Sequence, residues 1–211
     1  MADKKMTERA KQAKQRRLEL LQSAKRLFAE KGYHATTTRS INQSIGMADG
    51  LMYHYFPEGK KQILYTLIEE ESERKLVGFQ QDVSSLNKEM PVEEFLLNIG
   101  KIILRNATKD KEYIIILFRD SHILELDAIT IFFNQFKETI DYLVDILNHY
   151  IAENKVKNLD PRMMLMQFSN SISVYIIHKL LINKDMILGV DEEEDYLRML
   201  VDHTVKTWSP S

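Results

Sequence analysis

The chain has no cysteine among its 211 residues, and only seven glycines and four prolines. Without thiols it cannot form disulfides, thiolate zinc sites or a cysteine nucleophile. It also lacks a run of about 18 apolar residues, which a membrane-spanning helix needs. The charged N-terminus has no apolar core of the kind found in signal peptides. We therefore expect a cytoplasmic protein with no membrane partner.

The scarcity of glycine and proline predicts long helices, because these two residues are the strongest local breaks in regular structure. Apolar residues recur at helical spacing through most of the chain, so we predict an all-α fold of about nine helices. The apolar runs at 113–118 and 129–133 are rich in β-branched residues and could also form strands. In so helical a chain we interpret both runs as buried helix segments.

The net charge of the chain is −2, but its charged residues are distributed unevenly. Residues 1–61 hold 13 Lys and Arg against 6 Asp and Glu, a net charge of +7, whereas residues 62–211 carry a net charge of −9. A basic module on an acidic body predicts that a polyanion binds at one end of the protein.

Residues 32–56 have the pattern of two short helices joined by a turn at Gly46. Thr37 suits the N-cap of the first helix, because its hydroxyl can accept from amides that the first turn leaves unpaired. Ile41 would face inward from that helix, and a second helix would follow from about Asp49. A unit of this kind can place its second helix in the major groove of DNA.

The segment resembles the DNA-binding domain of the TetR family (tetracycline-repressor-like) of bacterial transcription regulators. The resemblance covers about the first 65 residues, and the positions in register are Gly32, Tyr33, Thr36, Thr37, Ile41, Gly46, Gly50, Tyr53, Tyr55, Phe56 and Lys60. The departures from the family pattern, which bear on operator sequence and on cap strength, are Asn42, Ile45, Met47 and Ala48.

The resemblance implies two domains and a repressor. Residues 1–61 would form a helix-turn-helix DNA-binding domain with a basic N-terminal arm. Residues 62–211 would form a helical domain that senses a ligand and forms dimers. Two copies would bind a palindromic operator of double-stranded DNA, and an effector would release them.

Phosphate contacts are expected from the hydroxyls of Thr37 and Tyr53, which fix the register of a protein on DNA without reading its sequence. Lys60, near a helix start, is expected to add another phosphate contact. The basic residues of the N-terminal arm could follow the DNA backbone or the minor groove, or form a disordered tail; they are Lys4, Lys5, Arg9, Lys11, Lys14, Arg16 and Arg17.

Base contacts are expected from side chains on the outer faces of the two short helices. Arg39, with Ser40 beside it, is the candidate for a bidentate contact to a guanine edge. Asp49, Leu51 and His54 are candidates on the second helix, and Leu51 suits a thymine methyl group. For each of these three, the alternative is an exposed side chain without a base contact.

The second domain is expected to enclose a small apolar or amphipathic effector, with no cofactor and no metal. The candidate pocket residues are Tyr113, Phe118, His122, Phe136, Phe168, Ser171, Tyr175 and His178. For all of them, core packing or an interface is the alternative role. The last two helices carry many apolar residues and are expected to form the homodimer interface, although both could instead complete a monomeric core.

Three other functional classes are alternatives to a repressor. An enzyme is disfavoured, because the six histidines lack metal-ligand spacing and no nucleophile or phosphate-loop motif is present. A ligand-independent DNA organiser with the same fold is an alternative, and nothing in the sequence separates it from a repressor. A lipid carrier is the other alternative, and the basic first module argues against it.

Overall fold

The computed structural model describes residues 8–123, 136–182, 189 and 192–210. These residues contain no strand and nine α-helices: α1 (Glu8–Lys31), α2 (Thr38–Ser44), α3 (Met52–Tyr55), α4 (Lys60–Val83), α5 (Val92–Thr108), α6 (Lys111–Asp120), α7 (Lys137–Ala152), α8 (Pro161–Ile177) and α9 (Glu193–Trp208). The predicted all-α fold is confirmed, and the run 113–118 is helical. The run 129–133 lies outside the described residues.

The chain divides into two compact units. Among the described residues, 8–72 and 112–123 form the first unit, and 73–111 with 136–210 form the second. Helix α4 runs from Lys60 to Val83, and its residues to Ser72 belong to the first unit and those from Glu73 to the second. That residues 1–61 form the DNA-binding domain and residues 62–211 the sensing domain stays a prediction.

In the first unit, α1 buries one stripe made of Leu20, Leu21, Ala24, Leu27 and Phe28. The apolar pattern predicts a helix from about Gln15, and the described part of α1 is already helical from Glu8. The added residues are mostly Ala, Lys, Arg and Gln, which favour helix without needing a core contact. Of the two short helices, α2 buries Ile41, and α3 buries Met52 with Phe56 directly after it.

The turn between α2 and α3 depends on two glycines in the left-handed region. Gly46 has φ of 64° and Gly50 has φ of 88°, a conformation that other residues adopt only with strain. The second short helix begins at Met52, not at about Asp49 as predicted. Gly50 is the physical reason, because its positive φ interrupts the right-handed spiral just before Leu51.

The second unit is built around α5, which packs against α8 and α9. Gly100 allows this approach, since a Cβ there would lie 2.3 Å from Leu197 Cδ1. Asp160 followed by Pro161 predicts the start of a helix. The structure confirms it, with the Asp160 carboxylate accepting from the Arg162 and Met163 amides at the start of α8. Tyr150 is fully buried and donates to the Met90 carbonyl. Burial is the main cause that raises the pKa of Tyr150 to about 12.

The apolar pattern predicts one long helix over 126–153, and α7 is described within it, from Lys137 to Ala152. The first part of that prediction lies outside the described residues. Within the part of the chain that is described, no helix combines the length and the apolar character needed to cross a bilayer.

Candidate nucleic-acid interface

The start of α2 is held by a reciprocal cap between Thr37 and Ser40. The Thr37 hydroxyl accepts from the Ser40 amide at 3.0 Å, and the Ser40 hydroxyl accepts from the Thr37 amide at 3.1 Å. Ser40 also donates its only hydroxyl proton to the Thr37 carbonyl at 2.7 Å. The predicted N-cap is therefore confirmed. A DNA contact by Ser40 stays a prediction, and donating to a phosphate would require that bond to open.

Arg39 and Asp49 form an exposed ion pair between α2 and the turn before α3. Their Nε and Oδ2 atoms are 3.4 Å apart, and both side chains are more than half exposed. In water such a pair contributes little stability. Its consequence is positional, because the carboxylate holds the guanidinium beside the N-terminal side of α3. It also places a negative charge on the predicted DNA face.

Helix α3 and Leu51, the residue before it, point one side chain to the interior and three to solvent. Met52 is fully buried, whereas Leu51 is 46% exposed, Tyr53 is 48% exposed and His54 is also exposed. The Tyr53 ring lies against Gly59, where an added Cβ would come within 3.2 Å of its Cε1. The side chains predicted to contact DNA therefore form the outer side of this helix.

The loop between α1 and α2, residues 32–37, is held by Lys60. The Lys60 ammonium donates to the carbonyls of Tyr33 at 2.8 Å and Thr36 at 2.9 Å. It also lies 4.3 Å from the centre of the Tyr33 ring. Burial lowers the pKa of Lys60 and raises the pKa of Tyr33. In this structure Lys60 orders the loop before α2, and its phosphate contact stays a prediction.

A second tie to the same region comes from the end of α6. The Arg119 guanidinium donates to the carbonyls of Phe28 and Ala29 in the last turns of α1. Asp120, only 4% exposed, accepts from the Tyr33 amide at 3.4 Å. A cation at the C-terminus of a helix is favoured by the helix dipole and by carbonyls that have no helical partner. Arg119 and Asp120 together fix the exit of α1.

Sequence reasoning missed both of these interactions. Arg119 and Asp120 lie more than 80 residues from their partners, and nothing in local spacing connects them. The sequence predicts a functional role for Lys60, but the pattern of residue types does not indicate that its ammonium donates to carbonyls. The sequence feature nearest to this contact is Thr36, the threonine directly before the Thr37 cap. Thr36 is fully buried, and its hydroxyl donates to the Gly32 carbonyl.

The residues predicted for a ligand pocket fall in both compact units. Tyr113, Phe118 and His122 belong to the first unit; Phe136, Phe168, Ser171, Tyr175 and His178 belong to the second. In the first, Tyr113 is buried with its hydroxyl 2.8 Å from Ser72 Oγ, Phe118 is 45% exposed, and the His122 ring stacks on His34.

In the second unit, the pocket candidates make packing contacts. Phe168 is buried, Phe136 meets Phe79 edge to face, and Tyr175 stacks on Tyr196 with ring centres 4.0 Å apart. The Ser171 hydroxyl donates to the Gln167 carbonyl, and His178 opens the π-helical turn after α8. Their role in binding an effector stays a prediction.

A separate open cleft of about 260 Å³ lies between α4 and α7 in the second unit. Its walls are formed by Gln80, Val83, Ser84, Glu138, Thr139 and Tyr142. No pattern of residue types indicates this cleft. Most of its lining residues are of polar type, but the surface that they expose to the cleft is mostly apolar.

Comparisons with known proteins agree with this geometry. The family model described as "Bacterial regulatory proteins, tetR family" matches residues 20–65. The chain is similar to the HTH-type transcriptional repressor Rv1474c of Mycobacterium tuberculosis, with 41% identity over 76 residues that cover 32% of this chain and 40% of that protein. It thus spans about two fifths of the length of this relative.

Two further proteins are similar over most of the chain. The uncharacterized HTH-type transcriptional regulator YvkB of Bacillus subtilis is 24% identical over 180 residues, which cover 83% of this chain and 88% of that protein. The solved structure of the ketosteroid transcriptional regulator KstR2 of Mycobacterium tuberculosis has the same fold, with a TM-score of 0.68 and 19% identity. It covers 93% of this chain and 96% of that one.

Replacing Arg119 by Met should destabilise the first unit. The change removes the charged donor from two α1 carbonyls and leaves the buried Asp120 without its cationic neighbour, which should cost about 2 kcal/mol. Chemical denaturation followed by far-UV circular dichroism measures the loss. Arg198→Met is the control, because Arg198 pairs with Glu194 at an exposed site. Equal midpoints for the two variants would contradict the role given to Arg119.

Replacing Lys60 by Met should also lower stability, by about 1–2 kcal/mol, because the Tyr33 and Thr36 carbonyls lose a charged donor. The exposed neighbour Lys61 provides the control variant, Lys61→Met. The measurement is the free energy of unfolding by urea. A Lys60→Met protein as stable as Lys61→Met would mean that the ammonium does not hold the loop in solution.

Proposed function

This chain belongs to the TetR family of bacterial regulatory proteins, and from that premise we propose its function. We propose that it binds double-stranded DNA sequence-specifically and represses transcription. The observation that carries the proposal is the outer side of α3, where Leu51, Tyr53 and His54 are exposed over a buried Met52. An apolar and an aromatic side chain left in solvent on a four-residue helix have no part in the core. They suit contact with a groove of DNA.

The side chains around α3 divide between holding DNA and reading it. The Thr37 hydroxyl accepts in its cap and retains its proton for a phosphate oxygen, and Tyr53 offers a second hydroxyl. Arg39 is the candidate for a guanine edge, and Leu51 for a thymine methyl group. Asp49 lies beside Arg39 and repels phosphates, so it limits how closely the helix can approach the duplex.

A homodimer would give this surface its specificity. A single helix-turn-helix makes few base contacts, whereas two copies about 34 Å apart read both halves of a palindrome. Helix α8 supports this arrangement, because it buries one face and leaves the opposite face exposed. That exposed apolar face consists of Met163, Met166 and Val174, and α9 adds Met199. Pairing of α8 and α9 with the same helices of a second copy would cover it.

The effector would be a small apolar or amphipathic molecule that binds the second domain and releases the operator. The family is one of regulators and not of enzymes, so the ligand is a signal and not a substrate. The relative Rv1474c is named a repressor, which supports repression over activation for this chain.

Two alternatives are distinguishable from a repressor by their binding. A ligand-independent DNA organiser would bind DNA of many sequences with similar affinity. A lipid carrier would bind lipid and no DNA, and the net charge of +7 over residues 1–61 speaks against it. The same experiment separates all three.

The experiment is selection of bound sequences from a randomised duplex pool at about 150 mM salt, which suppresses binding through the DNA backbone alone. A repressor enriches one palindrome with two equivalent half-sites. Retention of DNA without an enriched sequence would identify an organiser. Failure to retain DNA would overturn the proposal and direct attention to co-purified lipid.

Replacing Arg39 by Ala should relax specificity at one symmetric pair of operator positions, at a cost of about 1–3 kcal/mol for the preferred sequence. Asp49→Asn is the matched comparison at the other end of the ion pair. It should instead strengthen binding to every sequence, because it removes a negative charge from the DNA face. The base preference and the affinity of both variants are measured by titrating labelled operator and its base-pair variants with protein. An Arg39→Ala protein with unchanged base preference would rule out the guanine contact.

Replacing Met166 by Glu should prevent dimerisation, because it places a carboxylate on the exposed apolar face of α8. Analytical ultracentrifugation at micromolar concentration should then find monomers, and operator binding should weaken at least tenfold. Val77→Glu, a similar change at an exposed apolar residue of α4, is the control and should remain dimeric. Dimers of Met166→Glu would show that another surface forms the interface.

A further inference from the structure

We propose that Met163, Met166 and Met199 form an oxidative modification site that decides whether two copies of the chain can pair. Conversion of their thioethers to sulfoxides by a hydroperoxide keeps the chain monomeric. This inference rests on the proposed dimer of α8 and α9, and it adds a signal that acts without an effector.

Methionine carries all the oxidisable sulfur of this chain, which has ten methionines and no cysteine. A thiol therefore cannot respond to an oxidant here, whereas a thioether can. Sulfoxide formation turns a flexible apolar side chain into a polar one, and reductases specific for each sulfoxide epimer reverse the change. Any reversible response of this protein to an oxidant through sulfur has to use methionine.

Exposure divides the described methionines into two groups. Met163, Met166 and Met199 are each 46–49% exposed. The others are buried or only partly exposed, and they are Met47, Met52, Met90 and Met164. Because an oxidant has to reach the sulfur, it modifies the first group before it reaches Met52 in the core beneath α3. The helix-turn-helix thus stays intact while the exposed sulfurs react.

The exposed sulfurs lie on the surface that is proposed to pair. Met163 and Met166 are three residues apart on α8, so their side chains are neighbours on one face, and Val174 lies on the same face. Met199 lies on α9. Three of the four exposed apolar residues on these two helices are therefore methionines. An oxidant can change the polarity of most of this apolar surface.

The reaction is a two-electron oxidation of each thioether. The sulfur lone pair attacks one oxygen of the hydroperoxide, so that a sulfur–oxygen bond forms as the oxygen–oxygen bond breaks. The proton on the transferred oxygen moves to the departing oxygen, which leaves as water when the oxidant is hydrogen peroxide. Each methionine oxidised consumes one hydroperoxide, and no further reactant is needed.

A sulfoxide on this face opposes pairing because its oxygen accepts hydrogen bonds from water in the free chain. A closed apolar interface would remove that water, and burying a polar group without a hydrogen-bond partner is unfavourable. An assembled dimer shields the same sulfurs from the oxidant. Oxidation therefore acts on the free chain and lowers the amount of dimer that can bind an operator.

The test compares the unchanged protein with Met163→Leu/Met166→Leu/Met199→Leu, which keeps the face apolar at similar volume and removes its sulfur. Both proteins are treated with hydrogen peroxide, and mass spectrometry of peptides locates the sulfoxides. Analytical ultracentrifugation then measures the dissociation constant of the dimer. Oxidation should raise this constant about tenfold or more for the unchanged protein and leave it unchanged for the leucine variant. The variant keeps the other seven methionines, so it controls for their oxidation.

The outcomes separate this inference from the proposed function. If both untreated proteins are monomeric, the proposed dimer is wrong. If they are dimeric and oxidation weakens both equally or neither, the exposed sulfurs do not control pairing and the inference is overturned. Treatment of the oxidised protein with the two methionine sulfoxide reductases should restore the original constant, and a loss that persists after the sulfoxides are reduced would also overturn it.

Assembly should in turn set the rate of oxidation. Sulfoxides at Met163 and Met166 should form about threefold more slowly at a protein concentration of about ten times the dissociation constant than at about one tenth of it, because most chains are then paired. The partly exposed Met90 in the same protein is the internal control and should react at the same rate at both concentrations. Equal rates for Met163 and Met166 at the two concentrations would show that pairing does not cover these sulfurs, which would contradict the inference.

Discussion

The short loop between α1 and α2 is the constraint on which the DNA face depends. Lys60 donates to its carbonyls from the start of α4, and Asp120 accepts the Tyr33 amide from the end of α6. The loop leads directly into Thr37, which caps α2. Because α2 and α3 are only seven and four residues long, neither is stable alone. Their positions are therefore set by these tertiary ties.

Each helix that faces a proposed partner divides its surface in the same way. Helix α3 buries Met52 and exposes Leu51 and Tyr53; α8 buries one face and exposes Met163 and Met166 on the opposite one. Exposed apolar groups gathered on one face typically mark an interaction surface. The proposed division of labour, with DNA at α3 and a second copy at α8, follows from the same physical observation in both units.

The local features of the chain could be predicted from its sequence, and the long-range ones could not. Glycine at 46, the Thr37 cap and the Asp160 cap depend on residues a few positions apart, and the structure confirms all three. The Arg119 contact with α1 joins residues about 90 apart, so no periodicity reveals it.

The start of α3 was misplaced because the sequence showed that Gly50 was present but not that it adopts a positive φ. The early start of α1 was missed because that segment has no apolar stripe to mark it as helix.

A crystal structure of the protein bound to its selected operator tests the central claim most directly. The account predicts α3 in the major groove, with Leu51 and Arg39 at base edges and the hydroxyls of Thr37 and Tyr53 within hydrogen-bond distance of phosphates. A complex in which the duplex lies on another surface, with these four side chains left in solvent, would contradict it.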